Sequence, residues 1–473
     1  GAALRASRLC QGARALKARP PMYTSLVSGL LFPLHERLKG HTTVAVRREM
    51  EQSQWWKPPQ LEQLRVQRLR TLLTEIGQQV PYYQQLFQAQ GFEPASVTSV
   101  ADLRRLPFLT KALIRAHTDA LKHPAAQGLA RFNTGGSSGE PLIFFIGKER
   151  VSHDVAAKWR ATRWWDVDIG DAETVVWGSP IELGAQDRVR RVRDAMLRTE
   201  LLPAFEMSDD RVDGFLSDIR RRRPKMLFGY PSALTHIARH AEKRGVAMDD
   251  LGIRVAFVTS ERLYDDQRAT ISRVFGCRVA NGYGGRDAGF IAHECPSGGM
   301  HLTAEDIIVE LVDAQGQPVP DGSPGEIVVT HLATRDFPFV RYRTGDVAVL
   351  DTAACACGRG LPMLKEIQGR TTDFVVAADG TVMHGLALIY ILRDLPGLSS
   401  FKVVQESRER TRVQLVAGPG FDLSREGEIV RGFKRRLGEA VEVVVEFVDH
   451  IPAEKSGKFR YIVSHATAGQ WAG

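Results

Sequence analysis

The chain has 473 residues, 43% of them hydrophobic and 25% charged, and a net charge of +8. That composition excludes a collagenous, low-complexity or disordered chain, and the length accommodates two or three domains of ~100–200 residues each. No apolar run reaches the ~18–20 residues of a membrane-spanning helix; Leu26 to Leu34 comes nearest and carries Pro33.

In chain order, residues 1–21 carry Arg5, Arg8, Arg14, Lys17 and Arg19 with no acid, which resembles a transit peptide in composition. They are read as a disordered or non-native leader ahead of Met22. From Val46 to Gln90 the pattern predicts helix, with Leu61, Leu64, Leu69, Leu72, Leu73 and Ile76 recurring largely at three- and four-residue spacing. Between Arg131 and Gly284 short apolar runs ("LIFFI", "VVWGS", "KMLFGY", "RVAFVTS", "RVANGYG") alternate with helical stretches. That rhythm predicts an α/β domain with a largely parallel sheet.

The basic cluster Arg220 to Arg223, followed by Pro224 and Lys225, closes an amphipathic stretch where cations complement a helix C-terminus. No interleaved aromatics mark it as a strand-stacking surface, so no nucleic acid is expected as a partner. After Gly284, "IIVELVD", "GEIVVTHL" and "VAVLD" separated by Gly, Pro and Asp turns predict a β-rich subdomain. A break at "GRTTDF" precedes a small α/β unit. The expected division is a large domain over 22–369 and a small, mobile one over 370–473.

The strongest local signal is the segment from Asn133 to Pro141, NTGGSSGEP. Gly135, Gly136 and Gly139 permit close backbone approach, and Thr134, Ser137 and Ser138 can donate to phosphate oxygens. It lacks the lysine-bearing pattern of a P-loop, and alone it is no more than a glycine-rich turn. In "RYRTGD", Asp346 could grip a ribose diol or cap a turn. "GRTTD" begins 23 positions after Asp346 and brings Arg370, and "PAEKSGKFR" puts Lys458 in a short glycine-containing loop. A mobile cation there suits a developing phosphate charge, although each residue alone could be a surface charge.

Together, and in this order, these segments resemble the adenylate-forming superfamily of acyl-CoA synthetases, adenylation domains and luciferases. Its phenylacetate–CoA ligase branch, with the relatives found with capsule and exopolysaccharide biosynthesis, is closest. "VPYYQQLF", "DLRRLPFLTK", "GYPSAL", "HECPSGGMHLTAED" and "CACGRG" match that branch, and the likeness runs from about residue 30 to 463.

The resemblance implies that 134–139 bind phosphate, that Tyr283 and Gly284 lie along adenine and the acyl group, and that Asp346 holds ribose. Arg370 would contact ribose or phosphate, Thr372 would be the hinge, and Lys458 the catalytic lysine. Asp287 stands where the family has a magnesium-associated Glu, with Arg286 in place of a hydroxyl residue, and Glu140 stands where relatives often have Lys. Position also suggests an acyl pocket from Trp164, Trp165, Tyr230, Pro231 and Tyr283, favouring an aryl acid, with core packing as the alternative for the two tryptophans.

Cys295 and His301, six positions apart, and Cys355 and Cys357 form two short-spaced pairs suited to tetrahedral Zn²⁺. Four ligands would leave no open position, so the role expected is structural. Cys10 and Cys277 have no evident partners, and such usage fits a reducing cytoplasm.

The resemblance implies ATP, Mg²⁺ and coenzyme A as cofactors, a small-molecule acid as substrate, and a monomer or homodimer. Two other readings compete. One is a ligase passing the acyl group to an amine in surface-polysaccharide biosynthesis. The other is an adenylate-binding pseudoenzyme or scaffold, which Asp287 and Glu140 would allow.

Overall fold

The computed structural model describes residues 21–133, 142–177, 188–204, 207–370, 374–379, 382–384, 386–393, 395–452 and 460–466. Helices lead the chain: α1 (Met22–Leu26) runs through a π-helical turn (Val27–Leu31) into α2 (Phe32–Leu38). Then come α3 (Thr43–Ser53), α4 (Pro58–Gln79), α5 (Pro81–Gln90) and α6 (Lys111–Ala116). The helical periodicity of the sequence is thus realised in separate pieces. Pro58 and Pro81 open α4 and α5 in their first turns, where the missing N–H costs no intrahelical bond. Leu61, Leu69, Leu72, Leu73 and Ile76 of α4 are buried.

Strand–helix alternation follows, with β1 (Ala130–Asn133), β2 (Ile143–Ile146), α7 (Lys148–Arg163), β3 (Glu173–Trp177), α8 (Arg188–Leu197) and β4 (Thr199–Pro203). It continues with α9 (Asp209–Arg222), β5 (Met226–Gly229), α10 (Pro231–Arg244), β6 (Val255–Thr259), α11 (Asp265–Phe275) and β7 (Arg278–Gly285). A run of strands comes next: β8 (Gly289–Glu294), β9 (Met300–Leu302), β10 (Ile307–Val312), β11 (Pro324–His331), β12 (Tyr342–Asp351) and β13 (Met363–Arg370). The last part holds β14 (Phe374–Val376), β15 (Val382–His384), α12 (Leu386–Arg393), β16 (Leu398–Gln405), β17 (Arg410–Ala417), α13 (Glu426–Leu437), β18 (Glu442–Phe447) and β19 (Ile462–Ser464).

One eleven-stranded sheet, ordered β10-β11-β12-β13-β9-β8-β7-β6-β5-β3-β4, carries most of the molecule. Its β4-β3-β5-β6-β7 part is parallel, because helices cross back between those strands. From β7 onward the pairing is antiparallel, as the turn-rich sequence after Gly284 predicts. The "LIFFI" run does not join this sheet. It forms a separate two-stranded hairpin, β1 with β2, with Phe144 buried beneath it. A four-stranded sheet, β18-β17-β16-β19, with α12 and α13 packed on it, makes the smaller C-terminal unit.

Two histidines are buried in the large unit, His293 at 0% and His331 at 1% exposure. Burial pushes their pKa values down from 6.5 to about 3 and about 4. Unfolded imidazoles take up protons below pH 6.5, whereas these resist until the lower values. Folding stability is therefore full above pH 6.5 and is lost as the pH falls toward 4. Neither ring nitrogen of His293 has a hydrogen-bond partner among the described residues, so an apolar replacement orphans nothing. The Tm is expected to drop several degrees between pH 7 and 4.5, and His293→Leu to flatten part of that slope. A Tm independent of pH over this window would contradict the assignment.

Candidate functional site

In an open parallel sheet ligands bind beyond the carboxyl ends of the strands. Here β3, β5, β6 and β7 put theirs on one edge. Trp177 ends β3, Tyr230 follows β5, Ser260 follows β6, and Tyr283 and Gly284 lie near the end of β7. Trp177 and Tyr230 stack at 4.3 Å, and Pro231 is buried at the start of α10. Ser260 holds φ = 71°, a left-handed conformation that costs a non-glycine residue strain. Gly284 is required for a different reason: any Cβ there would collide with the Gly289 carbonyl across the β7–β8 turn.

The Tyr283 hydroxyl donates to Asp346 Oδ2 at 2.8 Å. Asp346 belongs to β12, four places from β7 in the strand order, a flat separation of roughly 19 Å at the usual spacing. A direct bond means the antiparallel half curls back over the parallel edge. A second bond crosses in the same place: the Tyr342 hydroxyl of β12 donates to Asp287 Oδ2 at 2.7 Å. Arg150 braces that turn from beneath through the carbonyls of Arg286 and Asp287. The strand opposite Asp346 carries Arg370 in backbone register. Asp346 therefore sits inside β12, not at a strand end.

The small unit meets this edge at the loop after β6. Tyr264 packs edge-on against Tyr461 at 5.6 Å, while Arg262 of the same loop donates to the Gln368 carbonyl of β13, within the large sheet, at 2.8 Å. Burial pushes the Tyr461 hydroxyl up to about 12. Trp177, Ser260, Glu261, Arg262, Tyr264 and Tyr461 were absent from the sequence-derived site. The strand-ending "VTS" and "VVW" runs were their only signal.

The loop residues Thr134, Gly135, Gly136, Ser137, Ser138, Gly139 and Glu140, with Thr372 and Lys458, lie outside the described residues, and of Arg370 only the backbone is described. The tryptophans differ from expectation. Trp164 does not join Tyr230; its indole N–H donates to Gln54 Oε1 at 2.8 Å and its ring stands edge-on to His301. Trp165 is buried and donates to the Glu294 carbonyl. Both follow the end of α7 and pack against the apolar cluster around Phe228 and Phe257.

Cys295, His301, Cys355 and Cys357 come together with all four donor atoms within 4.8 Å of one another. The Sγ atoms of Cys295 and Cys355 are 3.6 Å apart, and Cys357 Sγ is 3.2 Å from His301 Nε2. Ligands ~2.0–2.3 Å from a shared tetrahedral centre stand about 3.5–3.8 Å apart, so the set fits one zinc ion. His301 Nδ1 lies 3.3 Å from the Leu361 carbonyl; donating there leaves Nε2 free to ligate. Burial lowers His301 to about 4, keeping it neutral. A Cβ on Gly299 would stand 2.6 Å from Cys355 Sγ, so glycine keeps the cluster open.

A family model described as AMP-binding enzyme matches residues 201–333, and one described as CapK C-terminal domain matches 375–465. The phenylacetate-coenzyme A ligase of Thermus thermophilus is 26% identical over 330 residues, covering 67% of this chain and 72% of that protein. Protein CapK of Staphylococcus aureus is 22% identical over 412 residues, covering 86% and 89%. Among solved structures, a 2-hydroxyisobutyryl-CoA ligase in its postadenylation state superposes with TM-score 0.72 at 19% identity, over 88% of this chain and 91% of that one. The same ligase in its thioesterification state gives 0.60.

Proposed function

The chain belongs to the adenylate-forming superfamily, in the branch of phenylacetate–coenzyme A ligases and their CapK relatives, and on that premise we propose that it activates a carboxylic acid with ATP and passes the acyl group to coenzyme A. The observation that supports this reading is the Tyr283–Asp346 bond, which joins the carboxylate we propose for ribose to the tyrosine we propose for adenine. The substrate carboxylate attacks the α-phosphorus in line, forming the acyl-adenylate as the bond to pyrophosphate breaks. The thiol then attacks the acyl carbon and AMP leaves.

In this reading, residues 134–139 cradle phosphate, Arg370 contacts ribose or phosphate, Thr372 is the hinge, and Lys458 balances charge on the attacked phosphate. Asp287 would hold Mg²⁺, an ion that neutralises phosphate charge, through Oδ1, which Tyr342 does not engage and which also accepts from the Ala288 N–H at 3.2 Å. The stacked Trp177 and Tyr230 favour an aryl acid. The division into a large domain over 22–369 and a small one over 370–473 belongs to the same proposal.

Acid-dependent pyrophosphate release from ATP, across aryl, arylacetic, fatty and amino acids with and without coenzyme A, tests it. Release coupled to an acyl-CoA product is expected. Release stopping at one equivalent despite coenzyme A would favour the amine acceptor of the polysaccharide reading, to which the CapK-type match over 375–465 lends weight. Silence across the panel would favour the pseudoenzyme.

We assign structural zinc to Cys295, His301, Cys355 and Cys357, ions and ligands together clamping β9 to the loop before β13. One equivalent of zinc by elemental analysis is expected in the purified protein. Cys357→Ser should lose it and lower Tm by roughly 5–15 °C, since the metal cross-link between β9 and the loop before β13 goes with it. A metal-free protein of unchanged Tm would refute the assignment. Cys277, Cys295, Cys355 and Cys357 form no disulfide, which supports a reducing, cytoplasmic setting.

A further inference from the structure

The segment Met22–Leu38 buries one face and leaves the other bare. Thr24, Val27, Phe32 and Glu36 face inward. Met22, Leu26, Leu30, Leu34 and Leu38 are 90, 46, 58, 52 and 81% exposed, and they recur at every fourth position. In an ideal α-helix such a row drifts about 40° per step. The wider π-helical turn at Val27–Leu31 takes back part of that drift and keeps the five side chains on one side. Val192 of α8, 71% exposed, adds to the patch, because α8 packs beside this segment through the Tyr23 hydroxyl bond to the Met196 carbonyl. Single exposed apolar residues need no explanation, but a continuous stripe of this kind does.

Charge around the stripe is one-sided. Arg37, Lys39 and Arg198 are exposed beside it, and Arg198 lies over the Tyr23 ring. The only acid between Met22 and Gly40, Glu36, is turned inward and bonded by Thr43 and His41. The preceding 21 residues carry five cations and no acid. An apolar stripe rimmed by cations is the composition of a helix that lies in the plane of a membrane interface. No helix among the described residues is long and apolar enough to cross one.

A second copy of the chain fits poorly. A two-fold dimer would set this patch against itself, bringing Arg37, Lys39 and Arg198 face to face with their copies. We propose that the α1–α2 face docks the protein onto an anionic lipid surface, seating the apolar stripe among the acyl chains while the cations meet the headgroups. This proposal stands apart from the ligase reading and needs no catalysis for its test.

The experiment is flotation of the full chain with vesicles of phosphatidylcholine alone and of an equimolar mixture with phosphatidylglycerol, at low and high salt. The wild type is expected to float with the anionic vesicles, less so at high salt, and only weakly with phosphatidylcholine. The triple change Leu26→Ser, Leu30→Ser, Leu34→Ser touches only exposed positions and should keep the wild-type Tm while cutting the bound fraction at least tenfold. Arg37→Glu with Lys39→Glu should remove the preference for anionic vesicles. A wild type that stays with the soluble fraction, or a triple variant that floats equally well, overturns the proposal. A dimer in sedimentation velocity that the triple variant disperses would overturn it too, by naming a second copy as the occupant.

Discussion

Lys458→Ala is expected to slow acid-dependent adenylation by about 10²–10³-fold, the usual cost of removing one group that stabilises charge developing in the transition state. The lysine precedes Tyr461 by three residues, and Tyr461 is the point where the small unit rests on Tyr264. Tyr264 in turn follows β6, whose end pairs with Gly282 just before Tyr283. Tyr461 therefore lies at the same edge that holds Tyr283 and Asp346. A cation acting only on the attacked phosphate should matter to the first half-reaction and not the second. Supplied with preformed acyl-adenylate and coenzyme A, Lys458→Ala should form thioester at near the wild-type rate, and its Tm should be unchanged. Adenylation within twofold of wild type would remove Lys458 from the mechanism. An equal loss in both half-reactions would instead point to a damaged site.

What could be read from the chain follows the range of the interactions involved. Apolar runs bounded by turns identify β3, β5, β6 and β7 because each strand's own burial writes its pattern. Such a run cannot say which sheet a strand joins, so "LIFFI" looks like its neighbours yet pairs only with Ala130–Asn133. The Cys/His cluster was legible because each pair is local, and the fold has only to bring the two short segments together. The aromatic pair at Trp164 and Trp165 left acyl pocket and core packing both open for the opposite reason. Helical position fixes the face a ring takes but not its neighbours, here His301 and Arg359 on one ring and Arg278 on the other. The crossed bonds Tyr283–Asp346 and Tyr342–Asp287 depend on how far the sheet curls, a property of many strands that no single motif encodes.

A larger stability effect is expected inside the large unit, where Arg160→Met should lower Tm by roughly 6–20 °C. Arg160 and Glu305 are 1% and 2% exposed and are joined at 2.6 Å. Ser53 also donates to Glu305 Oε1, and Arg160 reaches the Met50 carbonyl, so the pair ties α3 to α7 and to the turn before β10. The pair itself is no great asset, because Arg160 Nε and Nη2 and Glu305 Oε2 have no hydrogen-bond partner among the described residues. Removing one member is another matter, since it strands a buried carboxylate at a cost of about 3–5 kcal/mol, each worth about 2–4 °C in a domain this large. Removing both with Arg160→Met and Glu305→Leu should recover most of that loss. Arg160 also helps to hold down the pKa of His293. Both proteins lose stability below the unfolded value of 6.5, but His293 would take up its proton sooner in the folded double variant, so its loss on acidification should stop at a higher pH and be smaller than in wild type. If the single and double variants melt together, the stranded charge is not what makes Arg160 costly to lose. The loss would then trace to its packing against Trp164, whose ring lies 5.5 Å from the guanidinium.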